Sequence, residues 1–191
     1  METKKFRGKY RIESVRMKNF NYSSNGAYFI TIVTKNRENI LGGIVDGAMV
    51  LSEIGKIVWD EWFVSEKIRD NIFLDQFIVM PNHIHGIVII DNDRDVASQR
   101  LCGNATPQIS SQRHYVGIHE QMSKISPKKS SLSHMIRELK SAITRKSRKI
   151  LPHFAWQPGF YDRIIRNENE LNRIRQYIIS NPIMWERDSR K

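Results

Sequence analysis

Two apolar runs, Phe77-Ile78-Val79-Met80 and Ile84 through Ile90, stand on either side of Pro81-Asn82, and this limits the fold more than any other feature. Proline has no amide hydrogen to give to a ladder, so Pro81 marks a turn rather than the middle of a strand. The two runs therefore read as a hairpin whose second strand opens with His83-Ile84-His85. Side chains alternate along a strand, so both imidazoles share one face, roughly 7 Å apart at Cα, while Ile84 points into a core. Such a pair can converge on one cation.

The rest of the chain supplies a sheet for that hairpin. Ala27-Tyr28-Phe29-Ile30-Thr31-Ile32-Val33-Thr34 is rich in β-branched and aromatic residues and follows the turn-like Tyr22-Ser23-Ser24-Asn25-Gly26. Ile44-Val45 and Ala48-Met49-Val50-Leu51 flank Asp46-Gly47, the signature of a small hairpin. Ser52 offers an N-cap, and Ile54, Ile57, Val58 and Trp62 recur at helical spacing up to about Ile68. Leu132, Met135, Ile136, Leu139 and Ile143 mark a second helix, and Phe154 to Tyr161 a short strand or loop. A final helix from about Glu168 to Ser180 is expected to stop at Asn181-Pro182.

The order strand, helix, strand, strand, helix, strand is that of α+β ferredoxin-like (RRM-like) domains. It predicts an antiparallel sheet with helices on one face and the other face free for a substrate. Residues 1–191 read as a single domain. Within it, 1–26 is a basic segment, 91–131 a long polar insertion, and 167–191 the last helix with its tail.

Charge narrows the partner. The net charge is +11, and Lys124 to Lys149 holds nine basic residues against the one acid Glu138. An excess this large and this clustered points to a polyanion, nucleic acid above all. The single cysteine, Cys102, excludes an internal disulfide and a multi-cysteine zinc site. Neither a secretory signal nor an apolar run of membrane-spanning length is visible, so the expected place is the cytoplasm, with no membrane partner.

The His pair fits two familiar metal families poorly. Metallo-β-lactamase-like hydrolases continue His-x-His-x-Asp-His, whereas His85 is followed by Gly86-Ile87-Val88. Amidohydrolase barrels need about 250 residues. In the last helix Tyr177 and Asn181 lie four apart and so share a face, with Leu171, Ile174 and Ile178 as the apolar stripe beside them. On the residues alone, Tyr177 packs at the rim of that stripe and Asn181 caps the helix, or both belong to a site. Tyr161 is a rival nucleophile, but it lies in an aromatic cluster with Phe154, Trp156 and Phe160 and reads as core or base stacking instead; His134 and His153 could be ligands but read as surface residues.

Together these residues resemble the single-tyrosine HUH transposases of the IS200/IS605-like family, and especially their REP-associated tyrosine transposase relatives. The resemblance rests on Met80-Pro81-Asn82-His83-Ile84-His85 and Tyr177-Ile178-Ile179-Ser180-Asn181-Pro182. It extends to the strand ending at Thr34, to Leu51-Ser52-Glu53-Ile54-Gly55 and to Trp156-Gln157-Pro158-Gly159-Phe160-Tyr161, covering nearly the whole chain. It implies cleavage and strand transfer of single-stranded DNA beside a hairpin, the chemistry of DNA transposition. By that resemblance His83, His85 and Asn181 hold a divalent ion, Mg²⁺ or Mn²⁺. Tyr177 is then the nucleophile that forms a 5′-phosphotyrosine link and frees a 3′-hydroxyl. A phenolate, with a parent pKa of about 10, leaves far more readily than an alkoxide, which keeps the link reversible.

Arg137, Lys140, Arg145, Lys146, Arg148 and Lys149 on the second helix, with Arg173 and Arg175 beside the tyrosine, are expected to track the DNA backbone. In the N-terminal segment Tyr10, Phe20 and Tyr22 are expected to stack on bases. Many relatives carry a histidine where this chain has Arg163. The resemblance allows a homodimer that shares its sites or a monomer. The alternatives are a non-catalytic DNA- or RNA-binding regulator derived from a transposase, and a hydrolytic metal nuclease.

Overall fold

The computed structural model describes residues 5–6, 9–10, 22–93 and 131–188. Cys102, Phe20 and most of the 1–26 and 91–131 segments lie outside the described residues. Strands β1 (Lys5–Phe6) and β2 (Lys9–Tyr10) pair with each other. There follow β3 (Gly26–Val33), β4 (Gly42–Val45), β5 (Ala48–Leu51), α1 (Glu53–Lys67), β6 (Ile72–Met80) and β7 (His83–Ile90). The chain ends with α2 (Leu132–Ser147), β8 (Tyr161–Ile165) and α3 (Glu168–Asp188).

Local chemistry sets these boundaries. Ser52 caps α1 by accepting from the Gly55 amide at 3.0 Å, and Ser131 caps α2 by accepting from the His134 amide. Asp46 and Gly47 both take positive φ, 50° and 74°, the mirror-image turn that matches the twist of a two-residue hairpin. Met80 faces His83 across the Pro81-Asn82 turn, as expected.

Four long strands form one antiparallel sheet in the order β6-β7-β3-β8, which is the ferredoxin-like arrangement. The strand with the His pair is therefore central. On one face α1 and α2 bury a core of Tyr28, Ile30, Ile32, Val58, Trp62, Ile84, Val88, Met135, Ile136 and Leu139. Trp62 stacks on Phe77 at 4.3 Å and lies so close to β7 that a Cβ on Gly86 would come within 2.5 Å of its ring. Glu61 of α1 and Lys146 of α2 form an ion pair, as do Arg69 and Glu138.

The second face is not free. There α3 lays Ile174 and Ile178 against Phe29, Ile87 and Ile165, so helices cover both faces. The apolar stripe of the last helix needed a partner, and the alternate residues of β3 and β7 provide it. That helix also runs through Pro182 to Asp188 instead of ending at Asn181. An interior proline forfeits one hydrogen bond and costs about 3 kcal/mol. Packing beyond it opposes that cost: Asn181 and Pro182 are buried, and the Trp185 ring sits 5.5 Å from that of His83.

Candidate active site

Register across β7, β3 and β8 creates the site. Thr31 lies opposite His85 and Val33 opposite His83, and Tyr161 of β8 lies on the far side of Thr31. All of these side chains share the face covered by α3, because alternation sends Ile30, Ile32 and Ile84 into the other core. The two imidazoles turn their Nε2 atoms toward each other at 3.1 Å. Tyr177 reaches down from α3 and places its hydroxyl 3.4 Å from His85 Nε2. Its ring meets Phe29 edge-on at 6.0 Å, and Phe29 stacks on His85 at 5.1 Å, so one aromatic braces both groups.

Outer contacts hold each imidazole. His83 Nδ1 lies 2.8 Å from Asn82 Oδ1, while Asn82 Nδ2 donates to the Arg37 carbonyl at 3.1 Å. Asn36 and Arg37 both take positive φ, 55° and 56°, in a tight turn after β3. Left-handed backbone costs a non-glycine residue about 1–2 kcal/mol, so Asn82 ties a strained turn to the His pair. His85 Nδ1 lies 2.8 Å from Thr31 Oγ1. Sequence reasoning missed both partners: Asn82 is adjacent in the motif, but Thr31 becomes visible only through strand register.

Both imidazoles are neutral at physiological pH. Burial, then the Arg37 charge, lowers His83 to about 4. Burial, then the neighbouring His83, lowers His85 to about 3. Their lone pairs are thus available to a cation without competition from protons. Two ligand atoms each about 2.1 Å from one ion, at right angles, stand about 3.0 Å apart, and the Nε2 atoms stand 3.1 Å apart. The donor set therefore fits a divalent ion. Asn181, one turn beyond Tyr177, is 8% exposed, and its amide nitrogen lies 3.4 Å from the Tyr177 carbonyl.

Other expected residues take different places. Tyr161 is 46% exposed on the edge strand and is not core; an edge strand at the sheet rim has nothing to bury it. Tyr22 packs against Tyr28 at 6.1 Å, since the turn before β3 folds it onto the core. His134 is largely buried and pairs with Glu138 at 3.5 Å, whereas His153 is exposed. Arg163 pairs with Glu170 at 2.6 Å, joining β8 to α3.

The basic residues divide by role. Lys140 donates to the Gln157 and Gly159 carbonyls, and burial lowers its amine to about 8. Lys146 holds Glu61, and Arg148 donates to the Phe154 carbonyl. Arg175 grips Asp75 with two nitrogens, at 2.9 and 2.5 Å, where β6 shifts register between Leu74 and Phe77. These four brace the fold. Arg137, Arg145, Lys149 and Arg173 have no ion-pair partner among the described residues. A groove of about 690 Å³ lies along α2 between Arg137, Arg145, Arg148 and Trp156. It is on the face opposite the His pair but at the same end of the sheet, because Trp156 bridges Thr34 and the next residue back, Val33, faces His83.

A Haemophilus influenzae (strain Rd) protein, described only as uncharacterized, is 33% identical over 98% of this chain and 97% of its own length. No family model matches the chain. Among solved structures, a REP-associated tyrosine transposase bound to a REP hairpin superposes with a TM-score of 0.53 at 19% identity. The match covers 89% of this chain and 74% of that one. No described helix is long and apolar enough to cross a membrane.

Proposed function

We propose that this chain, which belongs to one family with the Haemophilus protein and shares its fold with a tyrosine transposase, is a metal-dependent single-strand DNA transferase. The observation that carries this reading is the meeting of Tyr177 with His83 and His85 within one chain, 3.4 Å from hydroxyl to Nε2. A tyrosine packed only for stability would bury its ring, yet Tyr177 is 49% exposed.

His83, His85 and Asn181 would hold Mg²⁺ or Mn²⁺. Such an ion polarises a phosphodiester and offsets the charge that develops on its oxygens. Tyr177 loses its phenol proton to water at its exposed edge and its oxygen attacks phosphorus. The new Tyr–O–P bond forms as the P–O3′ bond breaks, and the 3′ oxygen takes up a proton. Reversal by another 3′-hydroxyl expels the phenolate and joins strands, with no phosphoanhydride consumed. Phe29 and Trp185 wall the His pair and fix the rings, while Asn82 and Thr31 orient them.

DNA reaches the site along cations without a structural duty. Arg137 and Arg145 line the α2 groove, and Arg173 lies on the exposed side of α3. Tyr177 meets the His pair of its own chain, which supports cleavage by one protomer, and the reading allows a monomer or a homodimer.

Incubation with labelled single-stranded hairpin DNAs and Mn²⁺, read on a denaturing gel, tests this reading. The expected result is a protein–DNA adduct that disappears with EDTA and in Tyr177→Phe. Cleavage that survives Tyr177→Phe supports a hydrolytic nuclease. Binding with no cleavage across a hairpin library supports the non-catalytic regulator.

A further inference from the structure

The turn that follows β3 carries two cations that the fold does not use. Residues 35–39 are all exposed, and Asn36 and Arg37 sit in left-handed backbone at φ 55° and 56°. Neither is a glycine, and strain of this kind collects where function requires an unusual local shape. The turn is nonetheless held firmly. Thr34, wholly buried, shares its hydroxyl hydrogen between the Glu38 and Asn82 carbonyls, each at 2.9 Å. Its amide donates to the same Asn82 carbonyl, and Asn82 Nδ2 donates to the Arg37 carbonyl.

The two ends of this turn touch the two places a DNA strand has to visit. The Lys35 amide donates to the Ala155 carbonyl at 2.9 Å, and Ala155 lines the groove along α2. Arg37, at the other end, is tied through Asn82 to His83, whose Nδ1 stands 2.8 Å from Asn82 Oδ1. Its charge is close enough to act on that imidazole. The side chains of Lys35 and Arg37 have no hydrogen-bond or ion-pair partner among the described residues. Glu38, the acid of the turn, accepts from the Asn36 amide at 3.4 Å.

Resting on the reading of Tyr177 as the nucleophile, we propose that this turn is a phosphate clamp for the single strand. Lys35 and Arg37 take phosphates that flank the one Tyr177 attacks. The α2 groove and the His pair lie on opposite faces of the sheet, so a strand that uses both must round the end where the turn sits. Arg37 offers a planar fork to phosphate oxygens and Lys35 a point charge. A backbone already fixed by Thr34 and Asn82 has less freedom to lose when the strand arrives. Contacts of this kind set affinity and position without reading bases.

The test needs no turnover. Fluorescence anisotropy of a labelled oligothymidylate, with EDTA present, gives affinity across about 50–200 mM salt. Each phosphate contact to a single strand adds about 0.7 to the slope of log affinity against log salt. Lys35→Gln and Arg37→Gln should therefore each lower that slope by about 0.7, and the double variant by about 1.4. Arg37→Lys, which keeps the charge, should keep the wild-type slope. Lys67→Gln removes the same charge at the last residue of α1 and should keep it too. Melting temperatures should match wild type throughout, because all the exchanged side chains are exposed. An unchanged slope in the double variant, or an equal loss in Lys67→Gln, overturns the clamp and leaves the transferase reading to the Tyr177 adduct. The expected slopes in a protein that forms no such adduct overturn the transferase reading and leave the turn as a strand contact.

Discussion

The two faces of the sheet are made from the same strands and serve opposite ends. On the α1–α2 face, Tyr28, Ile30, Ile32, Trp62, Ile84 and Val88 close into a dry, interlocked core. On the α3 face a thinner apolar layer, Phe29, Ile87, Ile165, Ile174 and Ile178, stops short of one end of the sheet. In the space beyond it stand His83, His85, Thr31 and the half-exposed Tyr177. Adjacent residues, Ile84 and His85, are thus sent to the dry core and to the candidate site by nothing more than strand alternation. Buried polar groups and a strained turn cost stability at the site, and the opposite face offsets that cost.

That contrast is breakable in order of effect. Trp62→Ala removes a fully buried indole stacked on Phe77 and should cost about 3–5 kcal/mol in chemical denaturation. Tyr177→Phe, on the other face, should leave the melting temperature nearly unchanged while abolishing adduct formation. If the two variants exchange phenotypes, the division of labour is wrong.

Asp75→Asn should cost less, about 1.5–3 kcal/mol, by weakening the grip of Arg175 that fastens α3 to β6. The Arg175 hydrogen bonds hold the Asp75 carboxyl below its ordinary value. The contribution is therefore complete above the unfolded carboxylate pKa near 4 and is lost as pH falls through the lower folded value. Asp75→Asn should accordingly erase part of the acid sensitivity of wild type below about pH 4, measured by urea denaturation across pH.

The smallest effect is an absence of change. With His83 lowered to about 4 and His85 to about 3, Mn²⁺ affinity should stay nearly flat from pH 8 down to about 5. An exposed pair, with pKa near 6.5, would lose affinity over that same range. The unfolded chain does take up protons there, so folding stability should fall as pH drops below about 6.5 even while metal affinity holds. Calorimetric titration at several pH values separates the two.

Much of the stable face was legible. The helical stripes of α1 and α2, the Ser52 cap, the Asp46-Gly47 turn and the hairpin at Pro81 are local patterns, and local patterns survive in a sequence. At the site, His83 and His85 were legible as a pair, and Tyr177 as a residue on the rim of an apolar stripe. What joined them was not. The covering of the second face by α3 depends on tertiary packing, as does the run of that helix through Pro182, where burial and the Trp185–His83 contact oppose the proline's own tendency. Thr31 was hidden by register, and charge alone does not say that Lys140, Lys146, Arg148 and Arg175 are also engaged within the fold. The Arg163–Glu170 pair was hidden as well, because Glu170 is a neighbour only in space.

One measurement bears on the central claim most directly. After reaction with hairpin DNA and Mn²⁺, the covalent product is digested with nuclease and protease, and the modified peptide is sequenced by mass spectrometry. A nucleotide-5′-phosphate on Tyr177 is the predicted result. A nucleotide on Tyr161, or free 5′-phosphate ends with no modified tyrosine, would contradict the account.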